Sequence, residues 1–405
     1  MAYKKTQTLP TIPAHWEYLI KKYVKKTFFV GTRKESFADK PEFTEGDYRF
    51  FAKGIRELSE AFTQERSSLP QNYLNQKEYR SGYILYFLPV NALKVTSLLQ
   101  KTQALTPSKN PSLRFLDLGC GPGTALMGTF QAVEESLLPE AESLEMHWTL
   151  IDQNRLALQD AQAFHDSLLN ELKKKFPEKK ISSTVQIIVG NLFNQKISQL
   201  LPHQKFDLVF ALNFLNEFPR EKRLHLIEGL QKYQDESGKI FLMEPALRLT
   251  SRELMKLHDE LLTHEVISVL SPCLHQRECP MLAENNRDWC HTYIDWRIPD
   301  WIAKLDHLAG IKKEYLKCSY LLLGKKPKNY SNQEWRVVSG PLNSKGKTER
   351  LLCGPGNLPH LLRAMRQDKD EAFNNHLFDE LERGDLVKME KLTRIRKETV
   401  IQKLD

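Results

Sequence analysis

The segment Phe115-Leu-Asp-Leu-Gly-Cys-Gly-Pro-Gly-Thr124 constrains this chain more than any other. An apolar run reaches glycines at 119, 121 and 123, and a helical stretch follows. That order predicts a strand turning at once into a helix. The glycines let the backbone pass close beneath a ligand, and a helix N-terminus offers its free N–H groups. Further strands are expected at Trp148–Asp152, Val185–Gly190, Phe206–Leu212 and Lys239–Glu244, after a first at Arg114–Gly119. Helices are expected between them, over Leu156–Phe176 and Arg220–Tyr233. Short apolar strands alternating with helices predict an α/β fold, a doubly wound parallel sheet covered on both faces.

The rest of the chain frames that sheet. Residues 1–105 read as a helical region, with apolar residues at helical spacing over Trp16–Phe29, Gly46–Phe62 and Tyr79–Leu99. Pro111 breaks the chain before the first strand. The central domain is expected over 106–328, with helices at Ser251–Thr263 and Pro299–Leu308 and a closing apolar strand or hairpin at Ile311–Leu323. A Cys-rich insertion, 265–298, interrupts it. Residues 329–405 form a small C-terminal extension. It holds short strands at Trp335–Ser339 and Arg350–Cys353 around a polar turn, then a charged helical tail from Leu361.

Four further positions agree with the glycine loop. Asp117 stands inside the first strand, where a carboxylate suits a positively charged ligand group better than a pyrophosphate. Asp152 ends the second strand, where it can accept ribose hydroxyls. Asn191 follows the third strand, where an amide can meet an adenine edge. Asn213–Glu217 follows the fourth. This set resembles the class I S-adenosyl-L-methionine-dependent methyltransferases, whose fold is Rossmann-like. The resemblance implies Asp117, Gly119, Gly121, Gly123, Asp152 and Asn191 as the residues that bind S-adenosylmethionine. Methyl transfer mainly needs positioning, and a base only for a weak nucleophile. Ala211-Leu-Asn-Phe-Leu-Asn-Glu-Phe-Pro219 lacks the Asn-Pro-Pro-aromatic signature of base methylation. Glu217 and Glu244 are possible bases or merely polar strand ends, so no catalytic residue is assigned.

With 41% apolar and 27% charged residues, the 405-residue chain can bury a large core. No apolar run is expected to reach membrane-spanning length, and no secretory signal is expected, so membranes are not expected partners. The net charge of +8 is uneven. Residues 1–34 carry eight bases against Glu17, and residues 325–350 seven against Glu334 and Glu349. Aromatic residues sit among both: Trp16, Tyr18, Tyr23, Phe28 and Phe29, then Tyr330 and Trp335. That pairing suits a phosphate backbone with stacked bases, and equally a solvated face.

Six cysteines in a reducing compartment are not expected to form disulfides. Cys273, Cys279 and Cys290 fall in one irregular, Pro-flanked stretch, Ser271–His291, with Cys318 and Cys353 downstream. Thiolates so gathered bind zinc or an iron–sulfur cluster, and His275 and His291 keep a mixed zinc site open. Taken together, the two constellations resemble the methyltransferase-like (Rsm-type) family of the small ribosomal subunit, known from mitochondria and with bacterial counterparts. The likeness rests on the glycine loop, Leu215-Asn-Glu-Phe218, Glu244-Pro245, the Pro-Cys…Glu-Cys-Pro…Asp-Trp-Cys-His block, Ser319-Tyr-Leu321, Val338-Ser-Gly-Pro-Leu342, the Cys353 strand and Arg383-Gly-Asp385. It implies a [4Fe-4S] cluster on Cys273, Cys279, Cys290 and Cys353, zinc being the alternative, while Cys318 packs in a strand. It also implies rRNA and the small subunit as partners, and no DNA. The expected location is the cytoplasm, on the ribosome, or the mitochondrial matrix in a eukaryote. The C-x₁₀-C spacing between Cys279 and Cys290 is the family pattern's departure here.

Overall fold

The computed structural model describes residues 9–29, 42–63, 73–106, 109, 111–201, 203–355, 361–367, 376–389, 394–395 and 399–404. Lys4, Lys5, Arg33 and Lys34 of the first basic segment lie outside them. The chain divides into two compact units, 1–195 with 294–316, and 196–293 with 317–405.

In the first unit, α1 (Ala14–Phe28) buries Trp16, Ile20, Val24 and Phe28 at four-residue spacing and leaves Lys22 and Lys26 exposed. α2 (Glu45–Thr63) packs on the helix Asp300–Ala309, where Arg56 donates to the carbonyls of Leu308 and Ala309. Next, α3 (Lys77–Gly82) and α4 (Leu88–Lys101) are joined by one wide π-turn, Tyr83–Phe87. Pro89 explains the widening, because it cannot donate the i→i−4 bond back to Leu85. The run Lys77–Thr102 is therefore long and apolar enough to cross a membrane by length and composition, contrary to expectation. Of its apolar 18-residue stretch 78% is buried, as in a core helix.

The sheet part of this unit is β1 (Ser112–Leu118), α5 (Thr124–Ser136), β2 (Ser143–Asp152), α6 (Arg155–Lys175) and β3 (Lys180–Val189). β1 pairs parallel with β2 and β2 with β3, from Ser112↔Glu145 to Asp152↔Val189. α5 is buried from Thr124 to Glu134. That accounts for its nearly unbroken small and apolar sequence.

The second unit opens with α7 (Ile197–Leu200), then β4 (Phe206–Leu212), α8 (Arg220–Gln231), β5 (Gln234–Pro245), α9 (Arg248–Thr263), β6 (Ser268–Ser271), α10 (Pro280–Glu284), β7 (Thr292–Ile294) and β8 (Leu316–Gly324). β4 and β5 are parallel. β8 lies antiparallel between β5 and β6, so the expected apolar strand forms from Leu316 onward but does not finish the sheet, which β6 extends beyond it. Parallel strands with intervening helices make the fold α/β and Rossmann-like.

A second sheet follows, all antiparallel: β9 (Glu334–Val337), β10 (Leu342–Ser344), β11 (Lys347–Cys353), β12 (Leu362–Gln367), β13 (Leu386–Met389) and β14 (Ile401–Lys403). Trp335, Val337, Leu352, Ala364, Phe378 and Val387 form its core. The helical tail expected from Leu361 is thus corrected. Leu362–Gln367 is made of helix formers, yet it pairs with β11 from Leu352↔Leu362 to Lys347↔Gln367. Cross-strand pairing overrides propensity in so short a segment. Only the five-residue helix His376–Glu380 keeps that form among the described tail residues. Of the aromatic residues in the basic segments, Trp16, Phe28 and Trp335 are buried in the core and Tyr18 is exposed.

Candidate functional site

β1 ends at Leu118, and the next two backbone N–H groups, of Gly119 and Cys120, both donate to Ile151 O on β2, at 2.8 and 3.1 Å. The loop is thereby tied to the neighbouring strand's C-terminal end. Gly119, Gly121 and Gly123 all have left-handed φ, +64°, +52° and +95°. Three such turns within five residues are what glycine permits and other residues resist. A Cβ at Gly123 would lie 3.3 Å from Ala161 Cβ, so this glycine also lets α5 and α6 pack closely. Around Gly121 a Cβ would meet nothing within 4 Å.

Asp152 fastens this loop. Its Oδ2 accepts the Gly121 N–H at 2.8 Å, and its Oδ1 the Asn154 N–H at 2.7 Å. Burial pushes its carboxyl up, against those backbone donors. Asp117 is only 1% exposed, and its Oδ2 has no hydrogen-bond partner among the described residues. Burial, then the nearby Asp152, hold its carboxyl well above the usual range. Cys120 is pushed up by burial and by the same two carboxylates. A buried carboxyl oxygen without a partner is costly, and a cationic ligand group would relieve it.

Asn191 sits where expected, just past β3, but its side chain is engaged. Nδ2 donates to Gln153 Oε1 at 3.1 Å, and Oδ1 accepts the Phe193 N–H at 2.9 Å. Gln153 was not singled out from the sequence. Its position between Asp152 and the α6 N-cap Asn154, whose Oδ1 accepts the Ala157 N–H, is the signal that marks it.

In the second unit, Asn213 is left-handed at φ +53° and opens the loop after β4. Glu244, 2% exposed, accepts the Leu215 N–H at 2.9 Å and the Asn216 Nδ2 amide. Its carboxylate therefore fastens the loop rather than standing ready as a base. Glu217 is exposed. A cavity of about 230 Å³ is lined here by Asn216, Arg223, Glu244 and Glu253, among others.

The cysteines form a separate centre in this unit. Cys273 follows the cis Ser271–Pro272 bond. Cys279 caps α10, and its N–H donates to Asp259 Oδ1 at 2.8 Å. Cys290 donates its N–H toward Met255 Sδ at 3.3 Å, and Cys353 ends β11 with its Sγ 3.4 Å from His275 Nε2. Cys273, Cys279 and Cys290 line one cavity of about 40 Å³, with His258, His291 and Arg336. Cys279, Cys290 and Cys353 pack in one cluster with Met255, Met281 and Val338. All four thiols are pushed up by burial, Cys353 to about 12, and Cys273 is raised further by the other three. Arg383 and Arg336 pull Cys290 the other way. His275 and His291 are held down, to about 3 and about 4, by burial and neighbouring cations. Among the described residues, no three His, Cys, Asp or Glu side chains close on one point tightly enough to hold a single metal ion. Cys318 is buried in β8, packed as expected.

Residues 78–375 match the family described as mitochondrial small ribosomal subunit Rsm22. No curated protein matches. Among solved structures, a putative class I S-adenosylmethionine-dependent methyltransferase from Listeria monocytogenes is similar at 15% identity, covering 77% of this chain and 82% of its own, with a TM-score of 0.36. A Leishmania major S-adenosylmethionine-dependent methyltransferase is similar at 11% identity, covering 72% and 91%, with a TM-score of 0.31. The magnesium protoporphyrin IX methyltransferase of Synechocystis is similar at 12%, covering 67% and 100%, with a TM-score of 0.32.

Proposed function

The chain belongs to the Rsm22 family of the mitochondrial small ribosomal subunit, and from that premise we propose that it is an S-adenosylmethionine-binding factor of small-subunit assembly or translation that also carries a [4Fe-4S] cluster. The observation that carries the cofactor reading is Asp117. Its buried, partnerless oxygen stands at the end of β1, beside a loop of three left-handed glycines. The bound cofactor would supply an electrophilic methyl group and a positive charge. Asp117 would meet the cationic end of such a ligand. Gly119, Gly121 and Gly123 would keep the loop low enough for its approach. Asp152 holds that loop through the Gly121 N–H and retains lone pairs for ribose hydroxyls. Asn191 holds the β3 loop to Gln153, which makes it a shaper of the adenine side more than a reader of it.

Cys273, Cys279 and Cys290 line one cavity, and Cys353 packs with Cys279 and Cys290, so this unit gathers four thiols as a soft-metal ligand set needs. Cys273, Cys279, Cys290 and Cys353 would hold the cluster, giving up their protons to the metal. Arg336 and Arg383 stand beside Cys290 to offset the negative charge of such a group. Glu244 is committed to the β4 loop, which favours an assembly role over an enzyme with its own base. The site of action is the ribosome, in the cytoplasm or the mitochondrial matrix according to the host, with rRNA as the contact.

The test is deletion and complementation. Loss of the chain should deplete mature small subunits on sucrose gradients. Wild type and an Asp117→Asn variant that no longer binds S-adenosylmethionine should both restore them if methyl transfer is dispensable. Restoration by wild type alone, with a missing rRNA methyl group, would favour the enzyme instead. Unchanged gradients on deletion would remove the ribosomal reading.

A further inference from the structure

Two basic segments stand out in the sequence, and the fold treats them differently. In residues 325–350 the two arginines are turned inward, while Lys326, Lys328 and Lys345 are exposed but lie on loops and turns. Arg350 is 1% exposed and donates to the Phe378 and Asp379 carbonyls, both at 2.9 Å. Arg336 is buried and donates to Pro272 O and Gly384 O. Lys325 pairs with Glu236 and Lys347 with Glu349. Trp335 is core, and the Tyr330 hydroxyl donates to Leu270 O. The exposed lysines that remain stand on no common helix face.

On α1 the pattern is the reverse. The apolar stripe faces in, and Tyr18, Lys22 and Lys26 form the exposed stripe. Those side chains recur about every 6 Å along the helix. Tyr18 is 44% exposed, and Lys22 lies over its ring at 5.6 Å. α6 runs alongside in the opposite direction. Tyr23 meets Phe164 at 4.7 Å and donates to Asp160, while His15 and Lys175 share Glu134. The C-terminal turn of α6 therefore brings Lys174 and Lys175 beside the start of α1, with Lys174 in electrostatic reach of Tyr18 and Lys173 exposed on the same turn.

Three nearby acids are already engaged: Glu17 by Lys21, Glu134 by His15 and Lys175, and Glu171 by Lys174. Lys22, Lys26, Lys173 and Lys180 make no ion pair with an acid among the described residues. We propose that the exposed face of α1 and the C-terminal turn of α6 form one surface that binds the phosphate backbone of structured RNA. This rests on the ribosomal reading above and names the surface that serves it. Apart from Tyr18 the stripe offers no exposed ring, so recognition is of the backbone and not of base sequence. A lipid surface fits less well, because the apolar side of α1 is buried in the unit and cannot insert.

The test uses the full chain and a fluorescein-labelled RNA hairpin, by anisotropy across a salt series. Lys22→Gln/Lys26→Gln/Lys173→Gln should weaken binding at least about tenfold and lower the log–log salt slope by about 2 to 3. Lys325→Gln/Lys328→Gln/Lys345→Gln, on the other segment, should stay within about twofold of wild type. Circular dichroism and urea melts of both variants guard against misfolding. Wild type that binds RNA with both triple variants unchanged, or with the second alone weakened, would overturn this surface and leave an RNA partner standing. Wild type with no salt-dependent RNA affinity would overturn the RNA reading itself. Binding to phosphatidylserine vesicles but not to RNA, lost in the first variant, would assign the surface to a membrane instead.

Discussion

Gly123→Ala and Gly121→Ala test the loop as a matched pair. Gly123 caps α5 at φ +95° and ψ +43°. A non-glycine residue in left-handed backbone costs roughly 1–2 kcal/mol. The added Cβ would also sit 3.3 Å from Ala161 Cβ and 3.4 Å from its Cα. Ala161 is fully buried in α6, so the helix must give by a few tenths of an ångström, for about 1 kcal/mol more. Gly123→Ala should therefore destabilise the ligand-free chain by about 2–3 kcal/mol. At Gly121, φ is +52° and the Cβ meets nothing within 4 Å, so only the backbone strain of about 1 kcal/mol applies. Its larger effect should be on ligand affinity, because the new methyl occupies the space over the loop. Urea unfolding followed by circular dichroism reads both, as shifts in midpoint at constant slope. Equal costs at the two positions, or a costlier Gly121→Ala, would refute the packing argument.

Three further outcomes follow from the same geometry. Asp117 has a folded carboxyl raised above its unfolded value, so stability of the ligand-free chain is fullest below about pH 4. It should fall as pH rises, by about 1.4 kcal/mol per pH unit, until that carboxyl ionises. Asp152, also raised, adds the same sign, and Asp117→Asn should flatten the profile in urea melts; a flat wild-type profile would contradict this. Anaerobically purified protein should hold iron and acid-labile sulfide, and Cys290→Ser/Cys353→Ser should lose both on elemental analysis. Stoichiometric zinc without sulfide would sink the cluster. Arg350→Met leaves the Phe378 and Asp379 carbonyls without their buried donor and should cost about 2–3 kcal/mol, with Arg350→Lys a poor rescue because it lacks the fork. A loss under about 0.5 kcal/mol would show the contact to be idle.

The sheet strands were legible because each is apolar and followed by a turn residue, and β4 falls at Phe206–Leu212 as the pattern has it. Others run longer at their N-terminal ends: β3 begins at Lys180 rather than Val185 and β5 at Gln234 rather than Lys239. Apart from Ile181 and Gly238 those extra residues are polar, and several are exposed, so no run of apolar residues marks them. The glycine loop was legible because its three left-handed turns admit few residues besides glycine. The function of Glu244 was not legible, since hydrogen bonds to Leu215 and Asn216 cross from one strand end to another. Nor was the inward turn of Arg336 and Arg350, because sequence alone does not say which bases face a carbonyl and which face water. In the C-terminal extension β9 and β11 fall where short strands were expected, but β10, β12, β13 and β14 escaped, because segments of three to six residues carry too little periodicity to reveal them.

Isothermal titration of the ligand-free chain with S-adenosylmethionine bears most directly on the cofactor pocket. Saturable binding is predicted, weakened at least about tenfold in Asp117→Asn and in Asp152→Ala, each checked for folding by its urea melt. No heat of binding at millimolar ligand, or equal affinity in both variants, would contradict the assignment of the loop at Gly119–Gly123 to this cofactor.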